Sequence, residues 1–234
     1  MTPPLTSGLV LALDASAGDG TLALLREGTC VAEATVAMRG TREETLLPAL
    51  LALLEGAGAT LTDLRALIAG AGPGSFTALR VIGATAKGIA EGTGCPLYAV
   101  PSLALLVAAD ERTCRAGRWL ATLDALRGER YAALVVTGAD GAVREADALG
   151  LVPASEVVSR AVTLGATPIG PDEALAVMPH ARGAARALAM VRATGPVDLA
   201  TWEPGYGRLA EAQVKWEAAH GRALTAPAPV APLA

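Results

Sequence analysis

The chain has 234 residues, enough for one or two domains with a buried core. Apolar residues make up 52% and charged residues 18%, which excludes disorder along the whole chain. The net charge is −4, from 19 basic and 23 acidic residues, and lysine stands only at 87 and 215. Such a chain does not grip nucleic acid by its own field, which needs clustered Lys and Arg.

Residues 9–13, Leu-Val-Leu-Ala-Leu, predict a buried strand, followed by a turn over 16–20. Residues 21–26 and 30–37 predict two further strands joined at Glu27-Gly28, completing an antiparallel meander. The period then changes. Residues 43–55 predict a helix, 64–69 a strand, 75–91 a helix and 96–100 a strand, so this part of the sheet is parallel and covered by helices.

The second half repeats the order. Strands are expected over 120–124, 131–137, 143–149 and 162–169, with helices over 154–160 and 181–192. Leu13-Asp14-Ala15 has a counterpart in Leu123-Asp124-Ala125, and 22–25 in 132–135. The glycine turn over 70–74 has one in 165–170. The expected fold is α/β: two tandem ribonuclease-H-like βββαβα lobes, the layout of actin-like ATPases. The expected organisation is a first lobe over 1–102 and a second over 103–206. A C-terminal helix over 207–222 and a disordered Pro/Ala tail over 223–234 follow.

Cys30, Cys95 and Cys114 follow no metal or disulfide spacing, which fits a reducing compartment. Mean hydropathy is +0.43. The most apolar run, 46–54, is broken by Pro48 and is far short of the roughly 20 residues that a spanning helix needs. The N-terminus has no basic region before its apolar stretch, so no signal peptide is read. The expectation is a cytoplasmic protein with no membrane contact.

Gly70-Ala71-Gly72-Pro73-Gly74-Ser75 sits between a strand and a helix, where Ser75 can cap the helix and exposed N–H groups make a candidate anion-binding turn of Asp14, Gly72, Gly74 and Ser75. A nucleophile elbow fails, because Pro73 and Thr77 hold the places of its glycines. A P-loop fails, because Lys87 is followed by Gly88. Asp14 ends the first strand where an actin-like ATPase would hold Mg²⁺. The matching second hairpin carries Leu126, Arg127 and Glu129 where small residues would serve. No His or Cys pair has ligand spacing and no nucleophile has a base, so catalytic residues, metal and cofactor are all read as none. The rival readings are an active small-molecule kinase using Asp14 and a peptidase using Ser75.

The leucines of residues 46–54 span an arc of about 160° on a helical wheel, wider than a surface helix needs. The helix after Ser75 is rich in small residues, which let another helix approach closely. Together they predict a partner interface of Leu46, Leu47, Leu50, Leu53, Leu54, Leu79, Ile82, Gly83 and Ala86.

Leu46-Leu47-Pro48, Leu61-Thr62-Asp63-Leu64, Gly72-Pro73-Gly74-Ser75-Phe76-Thr77-Ala78-Leu79-Arg80 and Ala84-Thr85-Ala86-Lys87-Gly88 form one pattern, which resembles the TsaB (YeaZ) family. Asp14-Ala15-Ser16, the segment from Asp124 to Tyr131 and Glu203-Pro204-Gly205-Tyr206-Gly207-Arg208 are similar to further family segments. Arg42, Ala78 and Arg130 depart from the usual residues. The resemblance implies a degenerate actin-like ATPase fold without its own catalysis. It implies pairing with a TsaD-like transferase through first-lobe helices, with a TsaE-like ATPase joining; for the chain alone, both a monomer and a homodimer stay open. The reaction served would be threonylcarbamoylation of the tRNA adenosine beside the anticodon, with no strong tRNA binding by this chain itself.

Overall fold

The computed structural model describes residues 5, 7–38, 45–207 and 219–221. The first lobe begins with β1 (Leu9–Asp14), β2 (Gly20–Arg26) and β3 (Thr29–Val36). Next come α1 (Leu46–Gly56), β4 (Leu64–Gly70), α2 (Phe76–Thr93), β5 (Leu97–Val100) and α3 (Ser102–Ala108). The second lobe has β6 (Gly117–Asp124), β7 (Glu129–Thr137), β8 (Val143–Pro153), α4 (Val157–Leu164), β9 (Thr167–Gly170), β10 (Leu175–Ala176) and α5 (Ala184–Thr194). The expected C-terminal helix and Pro/Ala tail fall, apart from Gly207 and residues 219–221, outside the described residues.

The two sheets have the same topology. One runs β3-β2-β1-β4-β5, the other β8-β7-β6-β9-β10. In each, the first three strands pair antiparallel and the rest join in parallel. This is the duplicated ribonuclease-H-like arrangement, an α/β fold of the actin-like ATPase class. β1 is central and covered on both faces, which is why it reads as a continuous apolar run. β3 is an edge strand and alternates between exposed and half-buried positions. The internal repeat is offset by one residue from the sequence expectation. Ala12 pairs with Ala23 and Thr122 with Ala132, so Ala23 corresponds to Ala132, not Ala133. A one-residue offset exchanges the faces of every side chain in a strand.

Three elements depart from the sequence reading, one of them the two-residue edge strand β10, which it left unassigned. Val162 to Leu164 close α4 instead of opening a strand, because Gly165 takes a left-handed conformation and Ala166 N–H donates to Ala161 O. α3 has no counterpart in the reading. It is short and apolar all round, so no stripe marks it, and it is buried between the sheets on every side. α3 packs on β6, β7 and β8, and α5 on β5 and β8, so one core joins both lobes. α1 and α2 cover the other face of the first sheet.

His180 helps to fasten the lobes. Its Nδ1 accepts from Arg182 N–H at 3.1 Å, and its Nε2 lies 3.4 Å from Thr35 Oγ1 on β3. Arg182 pairs with Glu33 at 3.0 Å, and Ala181 N–H donates to Thr21 Oγ1. Burial and then Arg182 hold the imidazole pKa below its ordinary value, against the pull of Glu33. The neutral ring therefore belongs to the folded state. Its contribution is present above the unfolded imidazole value and is lost as pH falls through the lower folded value. The unfolding midpoint is expected to drop over that window by a few degrees. His180→Asn, which keeps an acceptor for Arg182 N–H, should flatten the drop in thermal melts; an unchanged slope would refute this.

Candidate functional site

The strand-to-helix turn and Asp14 do come together. Asp14 is buried at the end of β1, and its carboxylate is consumed by its own chain. Oδ2 accepts from Ser16 N–H at 3.0 Å and from Ser16 Oγ at 2.7 Å, and Oδ1 accepts from Ser102 Oγ at 2.6 Å. Burial pushes its pKa up, partly offset by these donors. Gly70 is required beside it, since a Cβ there would collide with Oδ1. Ser102, at the start of α3, is the residue that sequence reasoning missed. It also accepts from Gly72 N–H at 3.0 Å, tying the glycine turn to Asp14. No local motif marks it, because its partners are 30 and 88 residues away. Ser102→Ala would leave a buried acceptor and a buried donor unpaired. It should cost about 2–4 kcal/mol, seen as a lower denaturant midpoint at unchanged slope; a loss under about 0.5 kcal/mol would sink this account.

The turn itself is closed over the chain. Gly74 lies against the backbone of Ser16, and Ser75 N–H donates to Ser16 O at 2.7 Å. Ser75 does occupy the N-cap of α2, but its side chain makes no cap bond. The Gly72 and Ser75 N–H groups of the expected anion-binding turn are thus spent on Ser102 and Ser16.

A strap over 195–207 runs from α5 across α2 to the second lobe. Val197 N–H donates to Leu97 O, Lys87 Nζ to Trp202 O at 2.8 Å, and Gly205 N–H to Ala71 O at 2.8 Å. Tyr206 packs on Phe76 with ring centroids 4.5 Å apart, and Tyr131 Oη donates to Tyr206 O. Pro204 fills the notch at Gly83, where a Cβ would stand 3.1 Å from Pro204 Cγ. The strap therefore uses a small-residue notch that the sequence reading gave to a partner helix.

In the second lobe Asp124, the counterpart of Asp14, pairs with Arg130 at 2.7 Å, and Arg130 also reaches Asp172 at 3.2 Å. Leu126 and Arg127 both stand at positive φ in this hairpin. Among the described residues no group of three or more His, Cys, Asp or Glu side chains converges.

The expected partner interface divides. Leu46, Leu50, Leu54, Leu79, Ile82, Gly83 and Ala86 are buried, and all but Leu79 and Gly83 belong to the core cluster under α1 and α2. Contrary to the expectation, these residues do not face a partner: α1 turns Leu46, Leu50 and Leu54 onto β2 and β3, and α2 packs on β4 and β1. Leu53 is half-buried, while Leu47 is 42% and Leu51 45% exposed. Pro48 and Ala52 are exposed beside them, and Thr77, Arg80, Ala84 and Gly88 form the open face of α2. Leu51 lies on the predicted arc without having been chosen.

The family model described as "TsaD: tRNA N6-adenosine threonylcarbamoyltransferase" matches residues 37–149. The chain is 36% identical over 122 residues to the tRNA threonylcarbamoyladenosine biosynthesis protein TsaB of Escherichia coli (strain K12), covering 52% of each. It is 33% identical over 125 residues to the Bacillus subtilis (strain 168) protein of that name, covering 53% of this chain and 54% of that one. The match thus spans about half the length of these relatives. The solved structure of YeaZ from Pseudomonas aeruginosa superposes with a TM-score of 0.70 at 27% identity, covering 86% of this chain and 100% of that one. With the glycine-serine-phenylalanine turn and the duplicated sheets both in place, these likenesses together support the TsaB/YeaZ family for this chain.

Proposed function

We propose that this chain is a non-catalytic pairing subunit in tRNA N6-threonylcarbamoyladenosine biosynthesis. It joins a TsaD-like transferase through the exposed face of α1 and the adjoining face of α2. A TsaE-like ATPase completes the assembly, and the chain pairs with a second copy when alone. It works in the cytoplasm, and tRNA is held by the assembly, not by this acidic chain. The observation that carries the reading is the state of the two strand-end acids. Asp14 is saturated by Ser16 and Ser102, so it is not free to position a metal–phosphate group, and Asp124 has one oxygen engaged by Arg130. The names of the TsaB relatives and the YeaZ likeness support the pathway. Among the described residues no helix is long and apolar enough to cross a membrane.

The test is co-expression with a TsaD-like protein, then light scattering on the eluted species and a tRNA threonylcarbamoylation assay with and without this chain. A stable complex, with transfer lost when the chain is omitted, is expected. The purified chain alone should not turn over ATP at about 1 s⁻¹, an ordinary enzyme rate. Turnover at that rate, abolished by Asp14→Ala, would instead establish the kinase reading.

A further inference from the structure

A cleft of about 420 Å³ lies between the lobes, within the range that takes small ligands. Its walls are small and apolar, with Ala71 and Pro101 on one side and Ala133, Ala148 and Gly150 on the other. Within this lining Glu145 is the one carboxylate, and the Tyr131 phenol is the only other titratable side chain. The Tyr131 hydroxyl already donates to Tyr206 O. No hydrogen bond or ion pair engages the Glu145 carboxylate among the described residues. Burial, then Asp147, pushes its pKa up, the mark of an acid short of a counter-charge.

The strand that carries it is shaped at this place. Ala132 faces Gly150 and Ala133 faces Ala148, so Leu149 is an extra residue. Leu134 faces Asp147 and Val135 faces Glu145, so Ala146 is a second one. Two bulges within a few residues re-aim the side chains of β8, a device common beside binding sites. Gly150 stands at positive φ with open space where a Cβ would be, so the wall is hollowed there.

We propose that this cleft binds a small organic cation, a guanidinium or ammonium on a short apolar stem, with Glu145 as its counter-ion and the Ala, Pro and Gly walls around the stem. Charge selects the class: a nucleotide phosphate would meet the carboxylate, and a neutral apolar molecule would leave it unpaired. The cation is either a free small molecule or an Arg or Lys side chain offered by another polypeptide. The inference does not depend on the pairing function.

The test is calorimetric titration of the full chain with agmatine, with an acetyl-Ala-Arg-Ala amide peptide, and with uncharged N-butylurea. Saturable binding of agmatine or the peptide at about 1 mM or tighter is expected. Glu145→Gln should weaken it at least about tenfold without lowering the unfolding midpoint, since an unpaired, partly desolvated charge is removed. Ala148→Leu should weaken it by filling the cleft, and serves as the second variant if Glu145→Gln does not fold. Tighter agmatine binding assigns a free cation; tighter peptide binding assigns a side chain. The proposal is overturned if neither cation saturates, if N-butylurea binds as well, or if the folded variants bind as the parent does.

Discussion

Gly72→Ala is expected to lower the unfolding midpoint by about 10 °C, from a loss of about 3–4 kcal/mol. Two independent costs combine. Gly72 stands at φ 82°, where an L side chain is strained by about 1–2 kcal/mol. Its Cβ would also press into the carbonyl oxygen of Gly205, which is backbone and cannot swing aside like a side chain. The strap would have to lift, and with it the Gly205 to Ala71 hydrogen bond and the Tyr206 packing on Phe76. Gly88→Ala provides the opposite sign. That glycine is inside α2, its Cβ would meet nothing within 4 Å, and its φ is ordinary. It should gain about 0.5–1 kcal/mol by restricting the unfolded chain. Calorimetric melts of the two variants check both signs. A Gly72→Ala midpoint within 1–2 °C of the parent, roughly 0.5 kcal/mol, would show that the strap is not a fixed part of the fold.

Leu51→Glu and Leu47→Glu, made singly, should keep the fold and weaken pairing with the TsaD-like partner about 10–100-fold, equivalent to roughly 1.4–2.8 kcal/mol. Both side chains are over 40% exposed on one face of α1, so the charge is solvated in the free chain and desolvated only on association. Leu50→Glu is the contrasting variant. Leu50 is 0% exposed, so a carboxylate there has no water and no partner, and the first lobe should fail to fold. Circular dichroism separates the two cases, and light scattering reads the complex. Unchanged affinity in both surface variants would place the pairing surface elsewhere.

The pair Leu50 and Leu51 shows where sequence reasoning stops. The apolar arc of α1 is legible as an arc, because side-chain directions around a helix follow from 100° per residue. Which half of the arc meets the sheet is not, because that angle is set by β2 and β3 against it. The same holds for α2, where small residues announce close packing and only the fold reveals that the occupant at Gly83 is Pro204 of the same chain. Asp14 was legible as a strand-end acid at a turn. Its saturation was not, since Ser102 lies 88 residues away and on a helix that carries no periodicity.

What the amino-acid sequence determined by itself was local or repeated: alternating and continuous apolar runs for strands, glycine and proline at the turns, the duplicated order of elements, and the Gly72 to Arg80 motif that marks the family. These depend on steric and solvation rules that act over a few residues. Tertiary structure alone decided which leucines are core and which are surface. It also placed the strap across α2, set the one-residue offset between the repeats, and opened the cleft around Glu145. Each of these depends on backbone segments far apart in the chain meeting at a particular angle and register, and a shift of one residue or half a helical turn exchanges the buried face for the exposed one.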